Sequence, residues 1–423
     1  MNQRLFDYIA ASPTAYHATE HTADILRAKG YTELCEANEW NLCEGGRYFV
    51  TRNGSSLIAF RIPKGDFSGF MMTAAHGDSP CFKIKENGTL ADAHYVRLST
   101  EKYGGMLYAP WMDRPLSIAG RITVRTKDGL EVKTVDLARP AAIIPNVAIH
   151  MNRAANDGMK YNPAVDMLPL VGTNNKISLM EQIAEVAGVD PLDIVTTDLF
   201  VYNPDCGVEW NELISAPRLD DLQCAFASLV AFTEAEETDN LPVYCLFDNE
   251  EVGSETKQGA ASTFLFDVLT RIVTDPATYR QKLAASFLVS CDNAHAVHPN
   301  HPEYADKNHS VYMNGGVVIK YNANQRYTTD AVSSALFRLV CEKAGVPVQE
   351  YANRADMPGG STLGNISNTQ VSLNTVDIGL AQLAMHSAFE TAGARDTAHM
   401  VNALKQFFST SIIVEKNGSY RLK

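Results

Sequence analysis

The alternation of apolar and polar residues predicts two kinds of structure along this chain. Near the start, Leu5, Tyr8 and Ile9 recur at helical spacing, which predicts an amphipathic helix. The apolar segments "SSLIAFRIP" and "GFMMTAAHGDSP" are then typical of buried strands. From about residue 86 to residue 217 the pattern changes to short alternating segments such as "GRITVRT" and "LEVKTVDL", separated by turn residues. This part of the chain therefore predicts a β-rich unit.

After Pro217, helical patterns alternate with apolar strands. "DLQCAFASLVAFTEA" and "TFLFDVLTRIV" have helical spacing, whereas "LPVYCLFD" and "LAASFLVSCD" contain short apolar runs. This alternation is typical of an α/β fold in which a mostly parallel central sheet is flanked by helices. We predict that residues 1–85 and 218–423 form one such domain and that residues 86–217 form an inserted β-rich domain.

Composition and charge narrow the classes of partner. Acidic residues outnumber basic residues by 49 to 36 and the formal net charge is −13, so we expect neither nucleic acid nor a membrane as the main partner. No apolar run approaches the ~18 residues that span a bilayer, and the first residues lack the pattern of a secretory signal. The eight cysteines form no CxxC pair, which indicates reduced thiols in a cytoplasmic protein.

The segment "FDNEEVGS" places two neighbouring glutamates at the end of an apolar strand. Adjacent side chains of a strand point to opposite faces, so Glu250 and Glu251 are not expected to share one solvated surface. The simpler alternative is a strand end that meets water, with Gly253 starting a loop. The other strand ends of the chain decide between the two interpretations.

Four further segments carry histidine or acidic residues where a strand or helix is predicted to end or begin. These residues are His76 and Asp78 in "MMTAAHGDSP", Asp220 and Asp221 in "SAPRLDDLQ", Asp292, His295 and His298 in "FLVSCDNAHAVHPN", and His386 in "LAMHSAFET". Ligands of open α/β sheets bind beyond the carboxyl ends of the strands, so we expect several of these groups to converge. Taken singly, Asp220 is also explained as a helix N-cap and His386 as a buried core histidine.

A convergent set of carboxylates and imidazoles indicates a metal site. Clustered carboxylates repel one another unless a cation holds them together, and mixed oxygen and nitrogen ligands suit zinc, manganese or cobalt. A hydrolase with two metal ions needs a bridging carboxylate and a separate carboxylate that accepts a proton from water. Glu250 and Glu251 meet both needs if one binds metal and the other acts as the base. Two alternatives remain open: a carboxypeptidase or deacylase with two metal ions, and a non-catalytic assembly protein with structural metal.

Nine segments, in the same order, resemble the aspartyl aminopeptidase family of di-zinc metallopeptidases. They are "AHGDSPCFKIK", "YGGMLYAPWMDRPLSIAGR", "IPNVAIHMNR", "PRLDDL", "FDNEEVGS", "DNAHAVHPN", "VIKYNANQRYTT", "GGSTLGNI" and "MHSAFETAG". The resemblance implies a di-zinc exopeptidase fold and an aminopeptidase that removes the N-terminal residue from peptides. It also implies two zinc ions per subunit, with manganese or cobalt able to replace them.

The resemblance assigns metal ligands by position. It implies that His76, Asp220 and Asp292 bind one zinc ion, and that Asp220, Glu251 and His386 bind the other. Asp220 would bridge the two ions. Every one of these positions carries a residue type that can bind zinc.

The resemblance also assigns catalytic and substrate-binding positions. Glu250 would be the general base, and Asp78 would support the ligand His76. His150 matches a position that reaches the active site of a neighbouring subunit. His298 matches a histidine on the substrate side, and Lys320 lies where relatives contact the substrate.

Assembly and specificity follow from the same resemblance. The inserted domain would mediate dimerisation and act as a lid, and twelve copies would form a tetrahedral dodecamer. The residue after Asp220 is Asp221 where an asparagine is common, and "MPGGSTLGNI" differs from its eukaryotic counterpart. Relatives range from Asp/Glu-preferring to neutral-preferring enzymes, and Lys320 is the candidate partner for an acidic side chain. The alternative for Lys320 is an exposed lysine at a strand edge.

Overall fold

The computed structural model describes residues 1–173 and 178–423. The helices are α1 (Asn2–Ala10), α2 (Ala15–Ala28), α3 (Leu179–Ala187), α4 (Leu219–Glu234), α5 (Phe264–Ile272), α6 (Pro276–Ala284), α7 (Ala331–Ala344), α8 (Leu363–Ser367) and α9 (Asp396–Phe408). The first eleven strands are β1 (Thr32–Leu34), β2 (Arg47–Arg52), β3 (Ser56–Arg61), β4 (Phe70–His76), β5 (Cys81–Ala91), β6 (Val96–Tyr103), β7 (Ser117–Thr126), β8 (Gly129–Asp136), β9 (Leu170–Gly172), β10 (Ile194–Tyr202) and β11 (Val208–Trp210). The remaining strands are β12 (Leu213–Ala216), β13 (Leu241–Phe247), β14 (Phe287–Cys291), β15 (Ala294–His295), β16 (Val317–Tyr321), β17 (Val348–Ala352), β18 (Asn374–Gly379), β19 (Ala381–Leu383), β20 (Glu390–Gly393), β21 (Ile412–Val414) and β22 (Tyr420–Leu422).

A nine-stranded sheet forms the centre of the fold. Its strand order is β1-β2-β3-β13-β4-β14-β18-β16-β17, and the central strands β13, β4, β14 and β18 run parallel. Antiparallel pairings occur where β2, β3 and β13 meet and where β18 meets β16. The predicted α/β fold with a mostly parallel sheet is therefore confirmed.

Helices cover both faces of this sheet. Successive side chains of each strand point to opposite faces, so each strand contributes apolar side chains to both layers. On β13, Tyr244 and Leu246 belong to the core beneath α4 and α9, whereas Val243 and Cys245 belong to the core beneath α5. Each fully buried apolar side chain of this kind stabilises the fold by roughly 1.5–3 kcal/mol relative to an exposed one. The continuous apolar strands of the sequence are explained by this burial on two faces.

A separate antiparallel sheet of six strands has the order β8-β7-β10-β5-β6-β9. Its strands come from residues 81–202, and it encloses a core that includes Phe82, Leu98 and Val201. Strands β11 and β12 pair instead with β20 in a five-stranded sheet of order β11-β12-β20-β19-β15. The domain division into 1–85 plus 218–423 and 86–217 stays a prediction, because strand membership alone does not define a domain.

Within the described residues, no helix is both long enough and apolar enough to span a membrane.

Candidate metal centre

The topology brings several predicted residues to one edge of the nine-stranded sheet. His76 ends β4, and it lies opposite Phe247, the last residue of the neighbouring parallel strand β13. Asp292 follows directly after β14, which pairs with the other side of β4. Because the three strands are adjacent and parallel, their carboxyl ends meet at the same place.

Two further segments complete this edge. Asp220 lies at the start of α4, where its backbone is still non-helical (φ −84°, ψ 107°). His386 lies between β19 and β20 with a left-handed backbone (φ 66°). Both residues therefore have backbone conformations that a regular helix or strand would not provide. For Asp220 this conformation is also that of a helix N-cap, so the cap alternative stays open.

Three groups of candidate ligand atoms lie here, and the atoms of each group are within 4.8 Å of one another. The groups are His76, Asp220 and Asp292; Asp220, Glu251 and His386; and His76, Glu250 and Glu251. The first two groups are the two ligand sets that the sequence predicts. The structure thus brings the five predicted ligands together, and their role in binding metal stays a prediction.

The carboxylate of Asp220 faces an imidazole on each side. Its Oδ1 lies 3.5 Å from Nε2 of His76, and its Oδ2 lies 3.3 Å from Nε2 of His386. Nε2 of His386 is also 3.3 Å from Oε2 of Glu251, and Nε2 of His76 is 3.9 Å from Oδ1 of Asp292. A carboxylate shared by two ligand groups is the arrangement that a bridging ligand requires.

The electrostatics of these residues fit a bound cation. Oδ1 of Asp220 and Oε1 of Glu251 are buried and accept no hydrogen bond within the described residues. Burial raises the pKa of Glu251 well above its ordinary value and also raises the pKa of Asp292. Buried carboxylates without donors are costly unless a positive charge compensates them. The candidate ligand atoms are carboxylate oxygens and imidazole nitrogens, which zinc binds, so the residues present fit zinc.

Glu250 and Glu251 diverge for a reason that differs from the predicted one. Strand β13 ends at Phe247, and the two glutamates belong to a short 3₁₀ helix, Glu250–Val252. The expectation that strand pleating separates them was therefore wrong. A 3₁₀ helix has three residues per turn, so neighbouring side chains point about 120° apart. Oε2 of Glu250 lies 4.0 Å from Nε2 of His76, and burial raises the pKa of Glu250 to about 8.

Asp78 holds the backbone of both glutamates. Its Oδ1 accepts a hydrogen bond from the backbone N–H of Glu250 at 3.2 Å, and its Oδ2 accepts one from the N–H of Glu251 at 3.1 Å. Nδ1 of His76 is hydrogen-bonded to the main-chain oxygen of Asp78 at 3.1 Å and lies 3.3 Å from its Oδ1, so Asp78 contacts the ligand ring through both groups. The hydroxyl of Tyr103, at the end of β6, donates to Oδ2 of Asp78 at 2.7 Å. Sequence reasoning missed Tyr103, which lies in the segment "YGGMLY", because its partner Asp78 is 25 positions away in the chain.

Glu390 is a second carboxylate that sequence reasoning missed. Its Oε2 accepts the backbone N–H of Asp220 at 3.0 Å, and its Oε1 accepts the backbone N–H of His386 at 2.8 Å. The available signal was an acidic residue within the apolar segment "SAFETAG".

A cavity of about 180 Å³ opens beside the candidate ligands. Its lining includes Glu250, Lys320, Tyr327 and Tyr351. Lys320 is only 1% exposed, so the alternative of an exposed strand-edge lysine is wrong. Its Nζ donates hydrogen bonds to the main-chain oxygen of Asp292 at 2.8 Å and to that of Asn293 at 3.3 Å.

The other predicted histidines lie elsewhere. His298 is exposed, its ring is tilted against that of His301 with centroids 5.3 Å apart, and it does not line the cavity. His295 does line the cavity. His150 is exposed and lies outside the cavity lining of its own chain. Its predicted contact with a neighbouring subunit stays a prediction, as does the substrate contact of His298.

Comparison with known proteins gives the same family at the levels of sequence and fold. The family described as aminopeptidase I zinc metalloprotease (M18) matches residues 8–408. A probable M18 family aminopeptidase 2 from Clostridium acetobutylicum is 44% identical over 424 residues, which covers 96% of this chain and 98% of the relative.

Two solved structures resemble the whole chain. One is a complex of Ape4 and Nbr1, whose matching chain has a TM-score of 0.93 and 35% identity, with 96% of this chain and 85% of that chain covered. The other is the mApe1 dodecamer of S. cerevisiae, with a TM-score of 0.85, 28% identity, and 96% and 95% of the two chains covered. Since the family match and the relatives extend over nearly the whole sequence, this chain belongs to the M18 family of aminopeptidase I zinc metalloproteases.

Proposed function

We propose that this protein is a zinc-dependent aminopeptidase that hydrolyses the N-terminal residue from peptides. The observation that carries the proposal is a pair of ligand groups sharing Asp220, beside the cavity-lining carboxylate of Glu250. Membership of the M18 family supports a metallopeptidase activity.

Two ligand sets would hold two zinc ions per subunit. His76, Asp220 and Asp292 would hold one, and Asp220, Glu251 and His386 the other; manganese or cobalt would fit the same donors. Zinc bound there supplies Lewis-acid polarisation of a peptide carbonyl and makes a nearby water more acidic.

Glu250 is the proposed general base. Its side chain keeps 14% of its surface exposed and lines the cavity, and within the described residues it accepts no hydrogen bond. Zinc ions bound beside it would favour its ionised form and lower the raised pKa. The carboxylate is then available to accept a proton from the attacking water and to donate that proton to the leaving amine. Asp78 holds the peptide backbone of Glu250, so the base keeps one position relative to His76.

The charge of the cavity favours a free N-terminus. Carboxylates of Asp220, Glu250 and Asp292 line it, and a free α-amine is positively charged near neutral pH. An acetylated N-terminus has no such charge and adds bulk beside the same carboxylates. This difference would make the enzyme an exopeptidase.

The test is hydrolysis of dipeptides and their N-acetylated counterparts, before and after chelation and with zinc added back. We expect cleavage of free N-termini only, loss of activity on chelation, and recovery with zinc. Cleavage of the acetylated peptides would instead favour the deacylase alternative. Bound zinc with no cleavage of either series would favour a structural metal in an assembly protein.

A finer proposal is that the enzyme prefers an N-terminal aspartate or glutamate. Lys320 is the residue that would bind the acidic side chain. Among the described residues that line the cavity, Lys320 is the one lysine or arginine. An acidic side chain would have to draw its ammonium group away from the main-chain oxygens of Asp292 and Asn293. Rates on Asp-, Glu- and Leu-anilides, measured for the wild type and Lys320→Met, test this. A preference that is unchanged in the variant would remove Lys320 from specificity.

Assembly as a homo-oligomer, and as a dodecamer in particular, belongs to the same proposal. A structural relative is a dodecamer. The inserted domain, residues 86–217, would mediate dimerisation and bring His150 toward a neighbouring site. The mass of the native particle, measured in solution, tests the assembly. A cytoplasmic location, and the expected lack of nucleic-acid and membrane partners, stay predictions.

A further inference from the structure

We infer that Glu390 is a positioning residue of the metal centre, which fixes the backbone of two proposed ligands, Asp220 and His386. This inference rests on the proposed function and goes beyond it, because it assigns a role to a residue that would contact neither metal nor substrate. Glu390 is 2% exposed and begins β20, opposite Ala216 in β12.

The two oxygens of Glu390 connect distant parts of the chain. Oε2 accepts the N–H of Asp220, 170 residues away in sequence, and Oε1 accepts the N–H of His386, four residues before Glu390. Each oxygen of a carboxyl group can accept a hydrogen bond, so the side chain of Glu390 can bridge the two N–H groups. One side chain therefore sets the spacing between two main-chain segments.

Neither of these N–H groups is fixed by regular secondary structure. Asp220 precedes the regular turns of α4, and its backbone angles are non-helical. His386 has a positive φ of 66°, which a residue with a Cβ adopts only when its surroundings hold it there. Within the described residues, the recorded acceptor of both N–H groups is Glu390. Without this acceptor, both N–H groups would lose the bond that sets their spacing. The main-chain oxygen of Asp220, which accepts from Ser79, and that of His386, which accepts from Leu107, would remain as restraints.

The same device occurs on the other side of the centre. Asp78 accepts the N–H groups of Glu250 and Glu251, just as Glu390 accepts those of Asp220 and His386. Two buried carboxylates thus accept four backbone N–H groups. Three of these belong to proposed metal ligands and one belongs to the proposed base. The two carboxylates therefore frame the centre from both sides.

The test is the zinc affinity of Glu390→Gln, measured by competition with a chromogenic chelator. Glutamine has nearly the same shape, but one of its two terminal atoms is an N–H₂ donor, so it cannot accept both N–H groups. Loss of a residue that orients metal ligands typically costs 10–100-fold in metal affinity. We expect a loss of about that size for at least one of the two ions.

Asp396→Asn is the matched control. Asp396 is fully buried and also accepts two backbone N–H groups, from Asn314 at 2.6 Å and Gly316 at 3.0 Å, but neither of these residues is a proposed ligand. We expect this variant to lose thermal stability and to keep the zinc affinity of the wild type. An equal loss of zinc affinity in both variants, or wild-type affinity in Glu390→Gln, would overturn the inference.

A second variant covers a failure of Glu390→Gln to fold. Glu390→Asp keeps the charge but is one methylene shorter, so it reaches at most one of the two N–H groups. We expect the same weakening of zinc binding, and unchanged affinity in this variant would contradict the positioning role. Zinc titration does not depend on turnover. A wild type that binds zinc but cleaves no peptide would refute the proposed activity alone, whereas a wild type that binds no zinc would overturn both.

Discussion

The neighbouring carboxylates of Glu250 and Glu251 lie in different surroundings. The side chain of Glu251 is 3% exposed and lies beside His386, whereas Glu250 keeps a surface open to the cavity. These surroundings support the proposal that Glu251 binds metal and that Glu250 exchanges a proton with water.

Glu250→Gln is expected to keep zinc and to lose turnover by roughly 10²–10⁴-fold, the usual contribution of a general acid–base group. The amide keeps the shape of the side chain but cannot accept a proton. Zinc content and kcat measured on one preparation check this. Glu255→Gln is the control, because Glu255 is exposed on the same loop. A near-full rate in Glu250→Gln would remove Glu250 as the base.

Asp220→Ala should instead empty the metal centre. Asp220 is common to both predicted ligand sets, so its removal takes one ligand from each. We expect zinc content to fall well below that of Glu250→Gln, as measured by elemental analysis after gel filtration. Retention of two ions per chain would contradict the bridging role.

At the scale of elements, the N-cap of helix α7 is expected to contribute measurably to the free energy of unfolding. The side chain of Asp330 accepts the N–H of Ser333 at 2.8 Å, and the hydroxyl of Ser333 accepts the N–H of Asp330 at 3.0 Å, which forms a reciprocal cap. Asp330→Ala should lower the free energy of unfolding by about 1 kcal/mol. Denaturant unfolding measures this, and Asp330→Asn should retain most of the stability because asparagine caps equally well. Equal losses in the two variants would argue against the cap.

The six-stranded sheet carries an ion pair that predicts acid sensitivity. Asp198 on β10 accepts hydrogen bonds from Lys83 on β5 at 2.7 Å and from Arg121 on β7 at 2.9 Å. Burial raises the pKa of the Asp198 carboxyl, but its bonds to Lys83 and Arg121 outweigh burial and lower the pKa below its ordinary value of 3.8. A carboxyl whose pKa is lower in the folded state stabilises the fold above the unfolded pKa and loses that contribution as the pH falls.

Wild type and Asp198→Asn should therefore differ in stability at pH 6 and converge as the pH falls below about 4, since the carboxyl becomes protonated in both its folded and unfolded states. Thermal unfolding at several pH values measures the difference. A gap between the two proteins that stays constant down to pH 2 would show that the ion pair does not contribute through its charge.

At the scale of the whole molecule, the edge strand β8 exposes apolar side chains. Leu130 and Val132 are 64% and 59% exposed, and β8 is the last strand of the six-stranded sheet. Exposed apolar edge strands are templates for association. We expect Val132→Glu to lower the native mass if this edge lies in the proposed dimer contact, whereas Val414→Glu, outside that sheet, should leave it unchanged. Unchanged mass in both variants would place the dimer contact elsewhere.

Much of the fold was predictable because strands buried on both faces leave long apolar runs. Residues 241–247 are buried throughout, and the short apolar run in the sequence predicts this strand. The candidate ligands were predictable for a related reason. His76, Glu251 and Asp292 lie at or soon after strand ends, where a charged residue interrupts an apolar run. The 3₁₀ helix after β13 was not predicted, because three residues carry too little pattern to distinguish a turn from a strand end.

The sequence by itself determined which chemical groups are present: carboxylates and imidazoles near predicted element ends, and two neighbouring glutamates for which it predicts different roles. Only the tertiary structure decided how these groups are held. Tyr103 reaches Asp78 from the six-stranded sheet, Lys320 is buried against Asp292, and Glu390 bridges Asp220 and His386. The first two contacts and the Glu390–Asp220 bond join residues 25 to 170 positions apart in the chain. The physical reason is that local sequence sets the periodicity of an element, whereas the partner of a buried polar group depends on which distant segment the fold packs against it.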